Sequence, residues 1–221
     1  MSKRTRVSLI LVATMVAAAA LPAYAESYFG PRIPTAYFAT TGTGESDEGI
    51  PPDPYETFSY DLALLEAGIE DFNVVYYTSV IPLEAQEFHP TKEYREKYFH
   101  HGAVLETIMA KAGGVKGDTA VAGVGRVWAK DSSGKPVGGY AAEYEYVYNS
   151  QIDSDTAYNN AVAQLTKSLD HILIIRGLTQ VGDKEFTITS KYIEKNYGMA
   201  LAALGFVDFI YPDPLPVTEN E

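Results

Sequence analysis

Apolar and polar positions alternate across "IPTAYFATT", residues 33–41, and predict a strand. The following "GTGESDEGIPPDP" is rich in Gly, Pro and acids and predicts a loop. A helix should start after it. Asp53 suits the N-cap, Pro54 the first helical position, and Glu56 completes a capping box. Phe58, Leu62, Leu65 and Ile69 space an apolar stripe, and Gly68 suits the helix end. "NVVYYTSVIP", Asn73 to Pro82, then reads as one buried strand closed by proline. Its Thr78-Ser79 pair therefore sits in apolar company, and buried hydroxyls need partners or a purpose.

A polar stretch, "LEAQEFHPTKEYREKYFHHG", separates that strand from an apolar segment at 103–110. Residues 119–129, the turn "KDSSGK" and "PVGGYAAEYEYVY" predict a hairpin. A second helix is expected from about Asp155 to Arg176. Its stripe is Ala157, Ala161, Val162, Leu165, Leu169 and Ile172, closed by Gly177. Strands near 184–190 and 198–210 complete the chain. Strands, a helix, strands, a helix and strands suit an α+β layered fold better than a regular βαβ alternation.

Composition narrows the function. The 221 residues suffice for one domain with a sizeable core, and 17 tyrosines favour strands. A formal net charge of -12 argues against nucleic acid, which requires clustered Lys and Arg. The absence of cysteine excludes disulfides, thiolate catalysis and cysteine-based zinc sites. The first 25 residues differ from the rest: a basic "MSKRTR", an apolar run, and "AYA" at a small-x-small cleavage pattern. They predict a secretory signal peptide, an exported chain beginning at Glu26, and no membrane attachment once residues 1–25 are removed.

Several motifs fail. "GTGES" lacks the third glycine of a dinucleotide fingerprint and the Lys-Ser/Thr of a P-loop. "DSDTAYNN" lacks the full ligand set and turn glycine of a calcium loop. His100 and His101 are sequence neighbours, which point apart on either regular element, so a solvated surface is the expectation. Glu143 shares a strand face with Gly139, Ala141, Glu145 and Val147. Periodicity alone leaves that face either solvent-facing or pocket-lining. Asp61, at the margin of the first helix's stripe, poses the same choice.

The stretch "FSYDLALLEAGIEDFNVVYYTSVIP" resembles the signature of pyruvoyl-dependent arginine decarboxylases, in the bacterial branch with Thr before the reactive serine. The resemblance extends to "TTGTGES", "AAEYEY" and "EKNYGMALAALGF" and covers most of residues 33–209. It implies a four-layer αββα sandwich, a precursor that cuts itself between Thr78 and Ser79, and a homotrimer with sites at subunit interfaces. A single domain, 26–221, would become a 26–78 chain and a 79–221 chain. The Ser79 hydroxyl would attack the Thr78 carbonyl, and elimination and hydrolysis would leave a covalent pyruvoyl group derived from Ser79. Asn73 occupies the family's position for polarising that carbonyl.

In the family the pyruvoyl ketone captures the substrate's amino group and takes up the electrons left by departing carbon dioxide. The resemblance puts the proton donor at Glu143, whose pKa would need raising by burial or by Glu145. It puts the carboxylate for the guanidinium of L-arginine at Asp61, with Leu64 and Phe72 along the aliphatic part. The connection from Leu83 to His101 is longer than in compact members and is expected to lid or block the site. The leading expectation is an exported decarboxylase converting arginine to agmatine and CO2. Alternatives are a decarboxylase of another basic amino acid, a non-catalytic exported protein of the same fold that binds a cationic small molecule, and a hydrolase using Ser79 as an ordinary nucleophile. No motif places a histidine to serve the last.

Overall fold

The computed structural model describes residues 31–48 and 56–211. The signal-peptide stretch, Asp53 and Pro54 lie outside the described residues, as does the side chain of Glu56. The elements are β1 (Ile33–Ser46), α1 (Glu56–Ala67), β2 (Asn73–Tyr76), β3 (Val80–Ile81), β4 (Gln86–Glu87) and α2 (Lys92–Tyr98). They continue with β5 (Val104–Val115), β6 (Thr119–Lys130), β7 (Pro136–Tyr148), α3 (Ser154–Arg176), β8 (Thr179–Tyr192) and β9 (Tyr197–Ile210). One sheet has the order β2-β5-β9-β1-β4 and the other β3-β7-β6-β8. The chain is mixed α+β and mostly sheet.

A common core fills the space between the sheets. Ile108, Ala110, Ala202, Leu204 and Phe206 from the first meet Ala122, Val124 and Ala141 from the second. β9 shows why the sequence packs this way. Its run from Gly198 to Phe206 is buried throughout, the near-continuous apolar pattern of a strand covered on both faces. Ala200, Ala202, Leu204 and Phe206 face the other sheet, while Met199, Leu201 and Ala203 face the α1 side. Against the outer face of the second sheet, α3 buries Ala157, Ala161, Leu165, Leu169 and Leu173. Asp153 caps it by accepting from Thr156 N at 2.8 Å, and Gly177 ends it in the left-handed conformation.

Three expectations need correction. The predicted stripe of α1 holds only at Ile69, which is buried just past the helix end; Phe58, Leu62 and Leu65 are 40–55% exposed. The buried face is Ser59, Ala63, Leu64 and Ala67, because β1 lies directly beneath. A Cβ on Gly42 would sit 2.0 Å from the Ala63 carbonyl oxygen, and one on Gly44 2.2 Å from that of Ser59. Only small residues on the helix fit so close an approach. For the same reason "GTGES" belongs to β1 and is not loop. Finally, "NVVYYTSVIP" is not one buried strand. β2 pairs in parallel with β5, and β3 pairs antiparallel with β7 of the other sheet, so Tyr77–Ser79 crosses between sheets.

The connection after Leu83 folds onto the C-terminal end of α1. Arg95 of α2 donates to the Gly68 carbonyl at 2.9 Å and the Ala67 carbonyl at 3.4 Å. These are orphan acceptors at a helix end, where a cation is also favoured by the helix dipole. The same guanidinium lies 5.6 Å from the Phe38 ring centroid and 5.5 Å from that of Phe99.

Candidate active site

The crossing brings Ser79 beside β7. Ala141 N donates to the Ser79 carbonyl at 3.0 Å, one step beyond the pairing of Val80 with Tyr140. The side chain is thereby aimed along the edge of β7. Its hydroxyl donates to the Glu143 carboxylate, 3.3 Å from Oε2 and 3.4 Å from Oε1. Sixty-four positions separate the two residues in sequence. Ser79 is half-buried and Thr78 exposed, so the pair does not sit in the apolar interior its sequence neighbours suggest.

Glu143 has one flank open to solvent, yet the protein around its carboxylate raises its pKa above the ordinary glutamate value. Desolvation is the largest cause; the contacts with Ser79 and with its own backbone amide pull the other way, and repulsion from Glu145 adds to the rise. Glu145 is held elsewhere: its carboxylate accepts from Lys111 N of β5 at 2.9 Å, tying the two sheets together near the site. A cavity of about 620 Å³ opens beside Glu143, lined by Tyr144, Tyr146, Tyr148, Asn160 and Gln164 among others.

The remaining residues of interest are dispersed within one chain. Asp61 is exposed on α1, on the face formed with Phe58, Leu62 and Leu65. Leu64 belongs to the core under α1. Phe72, partly buried, packs edge-on against Phe99 with centroids 4.9 Å apart. Asn73 spends its carboxamide on the Gly102 carbonyl at 2.8 Å. His101 is exposed and pairs with Asp71 at 2.8 Å. Among the described residues, no three His, Asp or Glu side chains gather to hold a metal. Sequence reading missed the backbone donors around Ser79, since only the pairing register reveals them.

The residues present fit a serine-derived prosthetic group: a half-buried serine at a sheet crossing, its carbonyl anchored and its hydroxyl on a carboxylate. A family model described as pyruvoyl-dependent arginine decarboxylase matches residues 36–211. The chain belongs to that family. It is 44% identical over 192 residues to pyruvoyl-dependent arginine decarboxylase AaxB of Chlamydia muridarum (strain MoPn / Nigg), covering 86% of this chain and 98% of the relative. It is 45% identical over 184 residues to AaxB of Chlamydia trachomatis serovar L2, covering 82% and 94%. Pyruvoyl-dependent arginine decarboxylase 2 of Archaeoglobus fulgidus is 29% identical over 176 residues, covering 79% and 98%.

Proposed function

We propose that this chain is the precursor of a decarboxylase that converts L-arginine to agmatine and CO2, and that it matures by cutting itself between Thr78 and Ser79. The observation that carries the reading is the contact of the Ser79 hydroxyl with the Glu143 carboxylate across the sheet crossing. In maturation the carboxylate receives the hydroxyl proton as Ser79 Oγ bonds to the Thr78 carbonyl carbon. The Thr78–Ser79 C–N bond then breaks, and the nitrogen leaves with a proton as an amine. Loss of the Ser79 Cα proton and cleavage of the Cβ–O bond release the Thr78 carboxylate and leave dehydroalanine. Water then displaces ammonia to give the pyruvoyl group.

When formed, that group supplies the electron sink for decarboxylation. Glu143 would deliver a proton to the substrate's Cα, and its raised pKa keeps it in the acid form further toward neutral pH. Asp61 is the proposed partner of the guanidinium, by a charge-assisted fork. Leu64 and Phe72 are assigned to the aliphatic wall and Asn73 to the turn before the strand. Asp61 lies on an exposed apolar face, which supports a homotrimer whose sites are completed by a neighbouring copy. Helix α1 over one sheet, two facing sheets and α3 over the other support a four-layer αββα sandwich. The basic-apolar-"AYA" start supports export with a mature N-terminus at Glu26, which intact mass would check; a soluble protein beginning at Met1 would refute it.

A denaturing gel tests the function. The parent should run as two chains, 26–78 and 79–221, and should release agmatine from arginine. Ser79→Ala should run as one chain, because no ester can form. Two chains from the alanine variant would sink the self-cleavage reading.

A further inference from the structure

We infer that the backbone N–H of Val80 is the oxyanion donor for maturation, held in place by a three-residue turn centred on Ser79. The inference rests on the self-cleavage reading above and adds the group that stabilises its transition state. Val80 N donates to the Thr78 carbonyl oxygen at 2.8 Å. That oxygen belongs to the carbonyl the Ser79 hydroxyl must attack. Ser79 does not have a positive φ, so the turn is of the inverse γ type, the low-energy form common at strand ends.

The pairing of β3 explains why this N–H is available. Ala141 N donates to the Ser79 carbonyl, so Ser79 and Ala141 form a hydrogen-bonded pair. Antiparallel ladders alternate hydrogen-bonded and non-hydrogen-bonded pairs. The next pair, Val80 with Tyr140, is then of the second kind, and the Val80 N–H points away from β7. It turns back onto Thr78 without removing a ladder bond.

The competing donor is directed elsewhere. Asn73 Nδ2 bonds the Gly102 carbonyl at 2.8 Å, at the far end of β2. The chain stays extended as far as Tyr77, whose N–H bonds the Thr107 carbonyl at 2.7 Å. Five extended residues span roughly 16 Å, so the carboxamide does not reach Thr78 within one chain.

The Ser79 hydroxyl and the Thr78 carbonyl oxygen thus each have a partner. Glu143 takes the Ser79 hydroxyl proton, and Ser79 Oγ bonds to the Thr78 carbon. The electron pair displaced from the carbonyl bond rests on Thr78 O, against the Val80 N–H. Collapse returns that pair, breaks the C–N bond and protonates the Ser79 nitrogen. The Ala141 bond fixes the Ser79 carbonyl, so the hinge of this rearrangement does not swing away from Glu143. A preorganised donor at a developing oxyanion accelerates acyl transfer by about a hundred- to a thousandfold.

The test replaces residue 80 by the α-hydroxy acid analogue of valine through nonsense suppression. The 79–80 amide becomes an ester, with side chain and shape kept and the N–H gone. Freshly translated chain is followed by denaturing gel, and intact mass separates a cut before Ser79 from hydrolysis of the new ester after it. Cleavage before Ser79 should slow by about a hundredfold or more. Val80→Ala, which keeps the N–H, should mature at the parent rate. An ester variant cleaving at the parent rate overturns the inference, and so does equal slowing by Val80→Ala, which would implicate side-chain packing. Ser79→Ala separates the two levels. If it still cleaves, the maturation reading itself fails; if it blocks cleavage while the ester variant does not slow, only the oxyanion assignment fails.

Discussion

On the proposed reading, Glu143 serves Ser79 in two settings that require opposite protonation states. During maturation it must accept a proton, so it acts as carboxylate; during decarboxylation it must donate one, so it acts as acid. Its pKa lies above the ordinary glutamate value, chiefly through desolvation. Maturation should therefore accelerate as pH rises through that pKa, and turnover should fall through the same ionisation. The Ser79 contact lowers the pKa in the precursor, and conversion of Ser79 removes that contact. The turnover limb should lie at higher pH than the maturation limb. Glu143→Gln should abolish both limbs, slow maturation, and cut turnover per matured chain by roughly a hundredfold, the scale of a lost general acid. Time-resolved gels and agmatine release across pH measure the two; coincident limbs, or unchanged turnover in the glutamine variant, would remove the role. The family resemblance singled out Ser79 and Glu143, which the fold brings into contact, although periodicity left Glu143 between water and a pocket. Their contact was not legible, because the register of β3 on β7 is set by long-range pairing. Thr78 and Ser79 looked buried because a run of β-branched and aromatic residues does not distinguish one core strand from a crossing between two sheets.

Helix α1 is placed by absence of bulk. Gly42 and Gly44 of β1 bring its backbone so near that Ser59 and Ala63 are the residues that fit above them. Gly42→Ala should force the helix outward or strain β1. It should cost about 1–3 kcal/mol, the usual scale of overpacking, and lower the melting temperature. Gly134→Ala is a useful contrast, since a Cβ there meets nothing within 4 Å although its φ of +86 disfavours a side chain. Equal melting temperatures for Gly42→Ala and the parent would contradict the tight packing. This packing also explains why hydropathy chose the wrong face of α1. Large apolar residues were taken as core, whereas the part of α1 over Gly42 and Gly44 holds small ones, with Leu64 and Ile69 the large residues on the core side. The method worked for α3, whose partner strands carry Val121, Val127 and Ala142 and leave room for leucines. The stretch from Leu83 to His101 was expected to lid or block the site; within one chain Arg95 fixes it to the end of α1, an anchor that no local sequence pattern announces.

At the scale of the molecule, the proposed cut falls where separation would be resisted. β1 lies in the sheet between β9 and β4, both of which follow Ser79 in sequence, and α1 packs on the same sheet. The two products should therefore remain one particle, with two bands on a denaturing gel and an undiminished native mass. The exposed face of α1 points further outward. Phe58, Leu62 and Leu65 stand beside the acid Asp61, and Val75, Tyr76 and Val80 are also exposed near the crossing. Large apolar side chains gathered at a surface mark an interaction site, and a second copy of the chain is the occupant proposed above. Leu65 is 55% exposed, so Leu65→Glu removes little from the core of a single chain. In an interface, the same substitution buries an unpaired charge and costs several kcal/mol. Sedimentation should show the parent at three copies and Leu65→Glu at one. The variant should keep its melting cooperativity but lose agmatine formation, because Asp61 would no longer face a neighbour's Ser79-derived group. If Leu65→Glu stayed trimeric with parental turnover, this face of α1 would lie outside the assembly, and Asp61 would lose its place in substrate binding.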